Sequence, residues 1–267
     1  MVSNKLYTFT IFGCVMLLSA CSSGRQSGGG FMQQRQFVSQ ASAQADKPLT
    51  TSQKVELMEK AQNYPGLVTY YKHQLEQDDS QSVRLSLAKT YYESGDINSA
   101  LFQLSYLKAH TQPNAKINYL MAQCFYYQKD YTKALREVNI AIVLDPKDAK
   151  NYNLQGVISA SLDDFISARR AFEKARSLFY SDAIVLNNLA MVDIYQNQYQ
   201  RAIDLLMPMY KNGQADKKIR ANLLIALAKV HQLGLFEEVY GNADLDKAKR
   251  VYNQLNMKTV KGTKPWN

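Results

Sequence analysis

Residues 115–148 read AKINYLMAQCFYYQKDYTKALREVNIAIVLDPKD, and the same pattern of small and large residues returns every 34 positions on both sides of this stretch. One column of small residues consists of Ala88, Ala122, Gly156 and Ala190. A second column, twelve positions later, consists of Ala100, Ala134, Ala168 and Ala202. Because small side chains let two helices approach closely, the columns predict a pair of packed helices in every repeat.

Large residues accompany the small ones at a constant distance. Four positions after the alanines of the second column stand Leu104, Val138, Phe172 and Leu206. Turn-prone pairs such as Gly95-Asp96 and Asp163-Asp164 separate the two helices of a repeat. The sequence therefore predicts a helix–turn–helix unit repeated four times. One such unit cannot bury its apolar stripe alone, so the units are expected to stack around a continuous core.

This period and these columns resemble the tetratricopeptide repeat, a 34-residue helix–turn–helix unit. The resemblance covers residues 81–216 as four complete repeats, and it implies an all-α fold, a right-handed superhelix or α-solenoid. Pro208 lies near the end of the second helix of the fourth repeat and is expected to shorten or kink it.

The N-terminus carries an apolar run over residues 6–18 that continues into Leu18-Ser19-Ala20-Cys21. The run is shorter than the about 20 residues that a membrane span needs, and it fits a secretory signal. The four residues resemble the bacterial lipoprotein lipobox, which implies cleavage before Cys21 and lipidation of its thiol. Because Ser22 stands where inner-membrane lipoproteins commonly have Asp, the resemblance implies the outer membrane, facing the periplasm. A Gram-positive surface, an ordinary secretory signal and an uncleaved anchor remain alternatives.

Composition and position divide the rest of the chain. The predicted segments are a lipoprotein signal peptide (1–20), a flexible tether (21–50), a degenerate helix pair joined at Tyr64-Pro65 (51–80), the four repeats (81–216), capping helices (217–257) and a basic tail (258–267). One capping helix is expected over residues 217–232, and a shorter one over about 245–255.

No residue constellation indicates catalysis, so the chain is not expected to be an enzyme. The three histidines are far apart and show no metal-ligand spacing, so neither a metal nor another cofactor is expected. Asp163-Asp164 falls in a predicted turn, which favours capping over acid catalysis, and Cys124 is expected to be a small buried residue. The net charge of +9 includes no dense basic run, so nucleic acid is disfavoured, and no small-molecule substrate is predicted.

Function is therefore expected from a protein-binding surface. In tetratricopeptide arrays the first helix of each repeat lines the concave groove. Transferring the groove positions gives these candidates: Lys89, Tyr92, Lys116, Tyr119, Gln123, Tyr126, Tyr127, Lys150, Asn153, Asn187 and Tyr195. Tyrosine, lysine and asparagine suit recognition of an extended peptide or a helix. About half of the tyrosines are expected to belong to the core instead, and a chaperone-type carboxylate clamp is not predicted.

One family resemblance is narrower. The segment 186–191 (LNNLAM), the leucine-rich segment 199–208 that ends in Pro208, and the segment 219–223 (IRANL) resemble the TadD-type lipoprotein of the tight-adherence (Flp) pilus system. This resemblance implies a protein-binding role in localising or assembling the pilus secretin. A type IV pilus pilotin, an adaptor for a cell-wall hydrolase and a lipoprotein of outer-membrane assembly are the alternatives.

Overall fold

The computed structural model describes residues 49–241 and 244–257, and all regular structure in these residues is helical. The helices are α1 (Thr51–Lys60), α2 (Tyr64–Gln77), α3 (Gln81–Glu93), α4 (Ile97–His110), α5 (Ala115–Tyr127), α6 (Tyr131–Leu144), α7 (Ala149–Ser161), α8 (Phe165–Ser177), α9 (Asp182–Tyr195), α10 (Tyr199–Lys211), α11 (Lys217–Lys229), α12 (Leu233–Tyr240) and α13 (Leu245–Met257). From α2 onward each helix packs against the next one along the chain. Within the described ranges, none of the helices has the length and apolar character that crossing a bilayer requires.

The columns of small residues lie where the two helices of a repeat meet. All seven alanines of the two columns have no exposed surface, and Gly156 is buried as well. The large residues four positions after the second column, Leu104, Val138, Phe172 and Leu206, are also fully buried. Small residues thus let the helix axes approach, and large ones fill the space beside the contact. The predicted all-α array of helix pairs is confirmed.

Each turn inside a repeat places one residue in the left-handed backbone region. These residues follow the 34-residue period, with φ between 58° and 85°: Gly95, Lys129, Asp163, Asn197 and His231. In the first three repeats an aspartate comes next and caps the following helix. The carboxylates of Asp96, Asp130 and Asp164 accept the backbone N–H three residues later, at 3.1, 3.1 and 3.0 Å. The interpretation of Asp163-Asp164 as a turn with a capping residue is confirmed.

A fifth helix pair follows the four predicted repeats. His231, at φ 59°, occupies the turn position one period after Asn197, and it joins α11 to α12. The expected helix over residues 217–232 therefore ends at Lys229, and α12 was missed. The alanine column does not extend into α12 because Phe236 stands in that position. The Phe236 ring is fully buried and lies 5.3 Å from the Tyr252 ring of α13, so the last helix completes this core.

At Pro65 and Pro208 the helix ends differ from those that the sequence predicted. Pro65 does not separate two helices but lies in the first turn of α2, where its missing N–H breaks no helical hydrogen bond. Asn63 precedes this helix and caps it by accepting the Gly66 N–H at 3.1 Å. Helix α10 continues through Pro208 to Lys211 and is not shortened. Both Pro208 and Asp204, whose carbonyl loses its usual donor, lie on the exposed side, where water can replace that bond.

Buried carboxylates tie neighbouring repeats together. Glu137 on α6 is 2% exposed and accepts hydrogen bonds from Lys108 Nζ on α4 and Asn118 Nδ2 on α5, both at 2.7 Å. Asp193 on α9 is 1% exposed and accepts from Arg169 on α8 at 2.5 Å. Because an unpaired buried carboxylate costs several kcal/mol, these pairs favour one register between adjacent helix pairs.

Candidate functional site

A groove of about 600 Å³ lies across the first helices of the first three repeats. Its walls are formed by α3, α5 and the start of α7, and by residues of two turns between repeats. The lining side chains are those of Leu85, Ser86, Lys89, Tyr92, Glu93, Ala115, Lys116, Tyr119, Leu120, Gln123, Asp145, Asp148, Lys150, Asn151 and Tyr180. Six of the eleven residues predicted for a groove are therefore brought together here: Lys89, Tyr92, Lys116, Tyr119, Gln123 and Lys150.

Three half-buried tyrosines supply most of the aromatic surface of the groove. Burial raises the pKa of Tyr119 to about 12, and it also raises the pKa values of Tyr92 and Tyr180. The phenols therefore stay neutral at physiological pH. Each ring offers an apolar face together with a hydroxyl that can donate or accept one hydrogen bond.

The charged side chains that line the groove are balanced. Lys89, Lys116 and Lys150 stand against Glu93, Asp145 and Asp148. Lys89 Nζ lies 3.5 Å from the Glu93 carboxylate, one helical turn away. Asp148 caps α7 by accepting the backbone N–H of Lys150 at 3.0 Å. The groove therefore offers separate positive and negative partners and no net charge.

Asn151 is a polar residue in the lining of the groove that is almost fully buried, with 1% of its surface exposed. Its Nδ2 donates to the backbone carbonyls of Ala141 and Asp145, at 3.4 and 3.3 Å. Among the described residues, its Oδ1 has no hydrogen-bond donor. Because buried polar atoms are nearly always paired, this oxygen is a candidate acceptor for a donor arriving with a ligand.

Two tyrosines of the prediction lie outside the groove lining at the end of α5. Tyr126 is half-buried, packs against apolar clusters of the second and later repeats, and its ring lies 5.5 Å from that of Tyr131. Burial raises its pKa, and a hydrogen bond with Ser161 on α7 opposes that rise. Tyr127 is 62% exposed. Tyr126 therefore contributes to the packing between repeats, whereas Tyr127 is a surface residue.

The three predicted residues of later repeats are engaged with neighbouring helices. Asn153 Oδ1 accepts from Asn188 Nδ2 at 3.2 Å, and Asn187 Oδ1 accepts from Asn222 Nδ2 at 2.8 Å. These bonds connect α7 to α9 and α9 to α11. The Tyr195 ring stacks on that of Phe165, with centroids 6.3 Å apart. None of these three residues belongs to the lining of the groove described above, and the binding role of all eleven residues stays a prediction.

Nine of the fifteen lining residues are absent from the sequence prediction, and four of these lie in or next to the turns between repeats. Asp145, Asp148 and Tyr180 belong to turns between repeats, and Asn151 stands in the first turn of α7. The transferred groove positions cover only first helices, which explains the omission of the turns. A signal was available for Tyr180, because it is a large aromatic residue in a turn.

Cys124 is fully buried, and burial raises the pKa of its thiol to about 12, which agrees with the expected packing role. Among the residues with described positions, no group of three His, Cys, Asp or Glu side chains could hold a metal ion. The predicted lipobox of Leu18, Ser19, Ala20 and Cys21 lies outside the described residues.

Comparison with known proteins shows the fold. The sequence matches no family profile and no curated protein. The chain is similar to the solved structure of a tetratricopeptide repeat protein from Parabacteroides merdae, with TM-score 0.60 and 13% identity, over 76% of this chain and 85% of that one. It is also similar to pilF of Pseudomonas aeruginosa, with TM-score 0.59 and 19% identity, over 75% and 95% of the two chains.

A third similar structure is that of YrrB, described as a tetratricopeptide protein with an unusual peptide-binding site. Its TM-score is 0.53 at 12% identity, over 68% of this chain and 97% of that one. At such low identities these likenesses define the fold alone. The chain has a tetratricopeptide-repeat fold with an α-solenoid architecture, in agreement with the fold class predicted from the 34-residue columns.

Proposed function

We propose that the chain is a protein-binding scaffold that holds an extended segment of a partner protein in the groove of its first three repeats. The observation that carries the proposal is the groove lining, in which three half-buried tyrosines alternate with balanced charges. Tyrosine rings provide contact area at a low cost in conformational entropy, and lysine, aspartate and asparagine side chains bond peptide groups. The action is binding without catalysis.

The scaffold is proposed to be anchored by lipid on Cys21, in the outer membrane and facing the periplasm. Support comes from the match of Leu18-Ser19-Ala20-Cys21 to a lipobox. In cells fed a palmitate analogue, the full-length chain should be labelled, and Cys21→Ser should be unlabelled and remain a longer precursor. The control Cys124→Ser should still be labelled. Labelling of Cys21→Ser would overturn the anchor.

The proposed setting is a tight-adherence (Flp) pilus machine, in which the scaffold aids localisation or assembly of the secretin. Support comes from the resemblance of three consecutive segments to the TadD type, and these segments fall in α9, α10 and α11. A type IV pilus pilotin, an adaptor for a cell-wall hydrolase and a factor of outer-membrane assembly are the alternatives, and the identity of the partner distinguishes them.

The test is photo-crosslinking from inside the groove. The crosslinker p-benzoylphenylalanine replaces Tyr119 in the full-length chain, in the cells that produce it, and mass spectrometry identifies the crosslinked protein. Secretin or pilus proteins are expected. Recovery of only wall hydrolases or barrel-assembly factors would overturn the pilus role. The absence of any protein crosslink would overturn the proposal that the groove binds a partner protein.

A charge-matched pair of variants checks that the groove itself is responsible. Lys150→Glu reverses a charge in the groove lining and should reduce crosslinking to the partner. Lys147→Glu reverses a charge in the adjacent turn, outside the lining, and should leave crosslinking unchanged. Equal effects of the two variants would contradict a contact with the groove.

A further inference from the structure

Phe179 has the largest exposed fraction, 97%, among the large apolar side chains of the described residues. It lies in the turn between α8 and α9 with φ at 62°, a backbone region that bulky residues rarely occupy. One repeat later the equivalent residue is Gly213, with φ at 70°. A glycine at this position would form the turn without strain and without exposing an aromatic ring. The turn itself therefore does not require a phenylalanine.

Phe179 adjoins the groove lining along the chain. The next residue, Tyr180, lines the groove. One repeat earlier, exposed Val143 and Leu144 directly precede Asp145, which also lines the groove, and they are 80% and 39% exposed. We refer to Val143, Leu144 and Phe179 as the apolar border.

The apolar border is confined to the repeats whose turns reach the groove. The residues equivalent to Val143 and Leu144 are Ala109 and His110 in the first repeat. The residues equivalent to Leu144 and Phe179 in the fourth repeat are Asn212 and Gly213. The turn after α4 begins with a residue at negative φ, like the turn after α6, and the turn after α10 has a residue at positive φ, like the turn after α8. Both comparison turns form with small or polar residues at the border positions, so the solenoid does not require large apolar side chains there. Exposed apolar groups at one edge of a groove are a mark of an interaction site.

We infer that the apolar border is the docking site for a large aliphatic or aromatic side chain of the same partner segment that occupies the groove. This inference rests on the proposed function, and it specifies that the partner segment carries a large apolar side chain. The occupant is a protein segment rather than a membrane surface. Asp145 and Tyr180 both line the groove and directly follow the border residues in the chain, so a segment lying in the groove would reach the border.

The first experiment compares two crosslinking positions in the full-length chain, inside the cells that produce it. The crosslinker p-benzoylphenylalanine is placed either at Phe179 or at Tyr119 in the groove. Both positions should yield the same partner segment, and the crosslink from Phe179 should fall within a few residues of a large apolar residue of the partner.

The outcomes separate this inference from the proposed function. A partner crosslink from Tyr119 without one from Phe179 overturns the inference and leaves the groove intact. The absence of a crosslink from both positions overturns the proposed function itself. Crosslinks from Phe179 only to lipid or to a second copy of the chain also overturn the inference.

The second experiment measures the affinity of a synthetic peptide that carries the crosslinked segment. Phe179→Gly should raise Kd roughly tenfold or more, as loss of an interface anchor does. The thermal midpoint should stay unchanged or rise by about 2 °C, because glycine adopts a positive φ freely. An unchanged Kd would overturn the inference even if both crosslinks formed.

The matched control removes an exposed apolar side chain from the other end of the same helix. Ile166, in the first turn of α8, is 65% exposed. With about 1.5 Å of rise per residue, it lies about 20 Å from the turn of Phe179. Ile166→Ser should leave Kd unchanged. A similar rise in Kd for both variants would show that general surface hydrophobicity, and not the border, drives binding.

Discussion

The ring of Phe172 lies against the backbone of Gly156, so that a β-carbon added to Gly156 would stand 2.5 Å from Cε1 of that ring. Gly156 belongs to the first small column, on α7, and Phe172 to the column of large residues, on α8. The other three repeats pair alanine with leucine or valine at these positions. In the third repeat a smaller residue on the first helix is therefore matched by a larger one on the second helix, and the same space is filled.

Gly156→Ala should destabilise the protein by roughly 1–3 kcal/mol, because the fully buried ring of Phe172 would have to shift to admit the added methyl group. This sign is opposite to the gain of about 1 kcal/mol expected from helix propensity alone. Urea unfolding measures the change. The double variant Gly156→Ala with Phe172→Leu reproduces the pairing of the first and fourth repeats, and it should recover stability relative to the sum of the single variants. A coupling energy near zero would contradict the complementary fit.

Tyr126 and Tyr127 are adjacent residues with opposite surroundings. Because Tyr126 packs between repeats, Tyr126→Ala should lower the free energy of unfolding by about 2 kcal/mol or more. Tyr127 is 62% exposed, so Tyr127→Ala should change stability by less than about 0.5 kcal/mol. Thermal unfolding of the two variants measures both effects. Equal stability of the two variants would show that Tyr126 is a surface residue.

The turn inside each repeat has one residue at positive φ. Replacing a glycine at this position should therefore lower stability, whereas introducing one should not. Gly95 has φ at 85°, so Gly95→Ala should cost about 1 kcal/mol although open space surrounds its Cα. Lys129 has φ at 61° in the equivalent turn, so Lys129→Gly should be neutral or slightly stabilising. Chemical denaturation at one pH compares the variants. Destabilisation by both would show that side-chain contacts, and not backbone strain, dominate these turns.

The cap of α8 should make stability depend on pH in acid. Hydrogen bonds from the side chain and backbone of Ser167 hold the pKa of Asp164 below its ordinary value of 3.8. Because the folded pKa lies below the unfolded one, the contribution is present above about pH 4 and is lost as pH falls through the folded pKa. Asp164→Ala should therefore cost about 1 kcal/mol at pH 7, and the difference from the natural chain should shrink towards pH 3.

Asp164→Asn is the control for that dependence. An asparagine can still accept the Ser167 N–H but does not titrate, so most of the cap energy should remain at pH 7 and also at pH 3. Urea midpoints at the two pH values provide the comparison. A constant difference between Asp164→Ala and the natural chain at both pH values would contradict a contribution from the ionised carboxylate.

Part of the groove lining could be predicted from the positions that residues occupy within the 34-residue repeat. Lys89 and Gln123 stand at the same position of consecutive repeats, as do Lys116 and Lys150, and regular stacking brings equivalent positions onto one surface. The position of these residues within the first helix of each repeat was therefore enough to predict that they share a surface. It did not distinguish Tyr126, which packs into the core, from Tyr119, which lines the groove, because both occupy groove phases of the same helix.

The sequence by itself determined the period, the alternation of small and large residues, and the capped turns, because each depends on spacing along one helix or on the chemistry of one turn. The tertiary structure decided where the groove ends. Asn153 and Asn187 bond to amides 35 residues further along the chain, and such contacts depend on how neighbouring helices face each other. It likewise decided that Phe236 belongs to a fifth helix pair, since the burial of that ring involves Tyr252 of α13, whose ring lies 5.3 Å away.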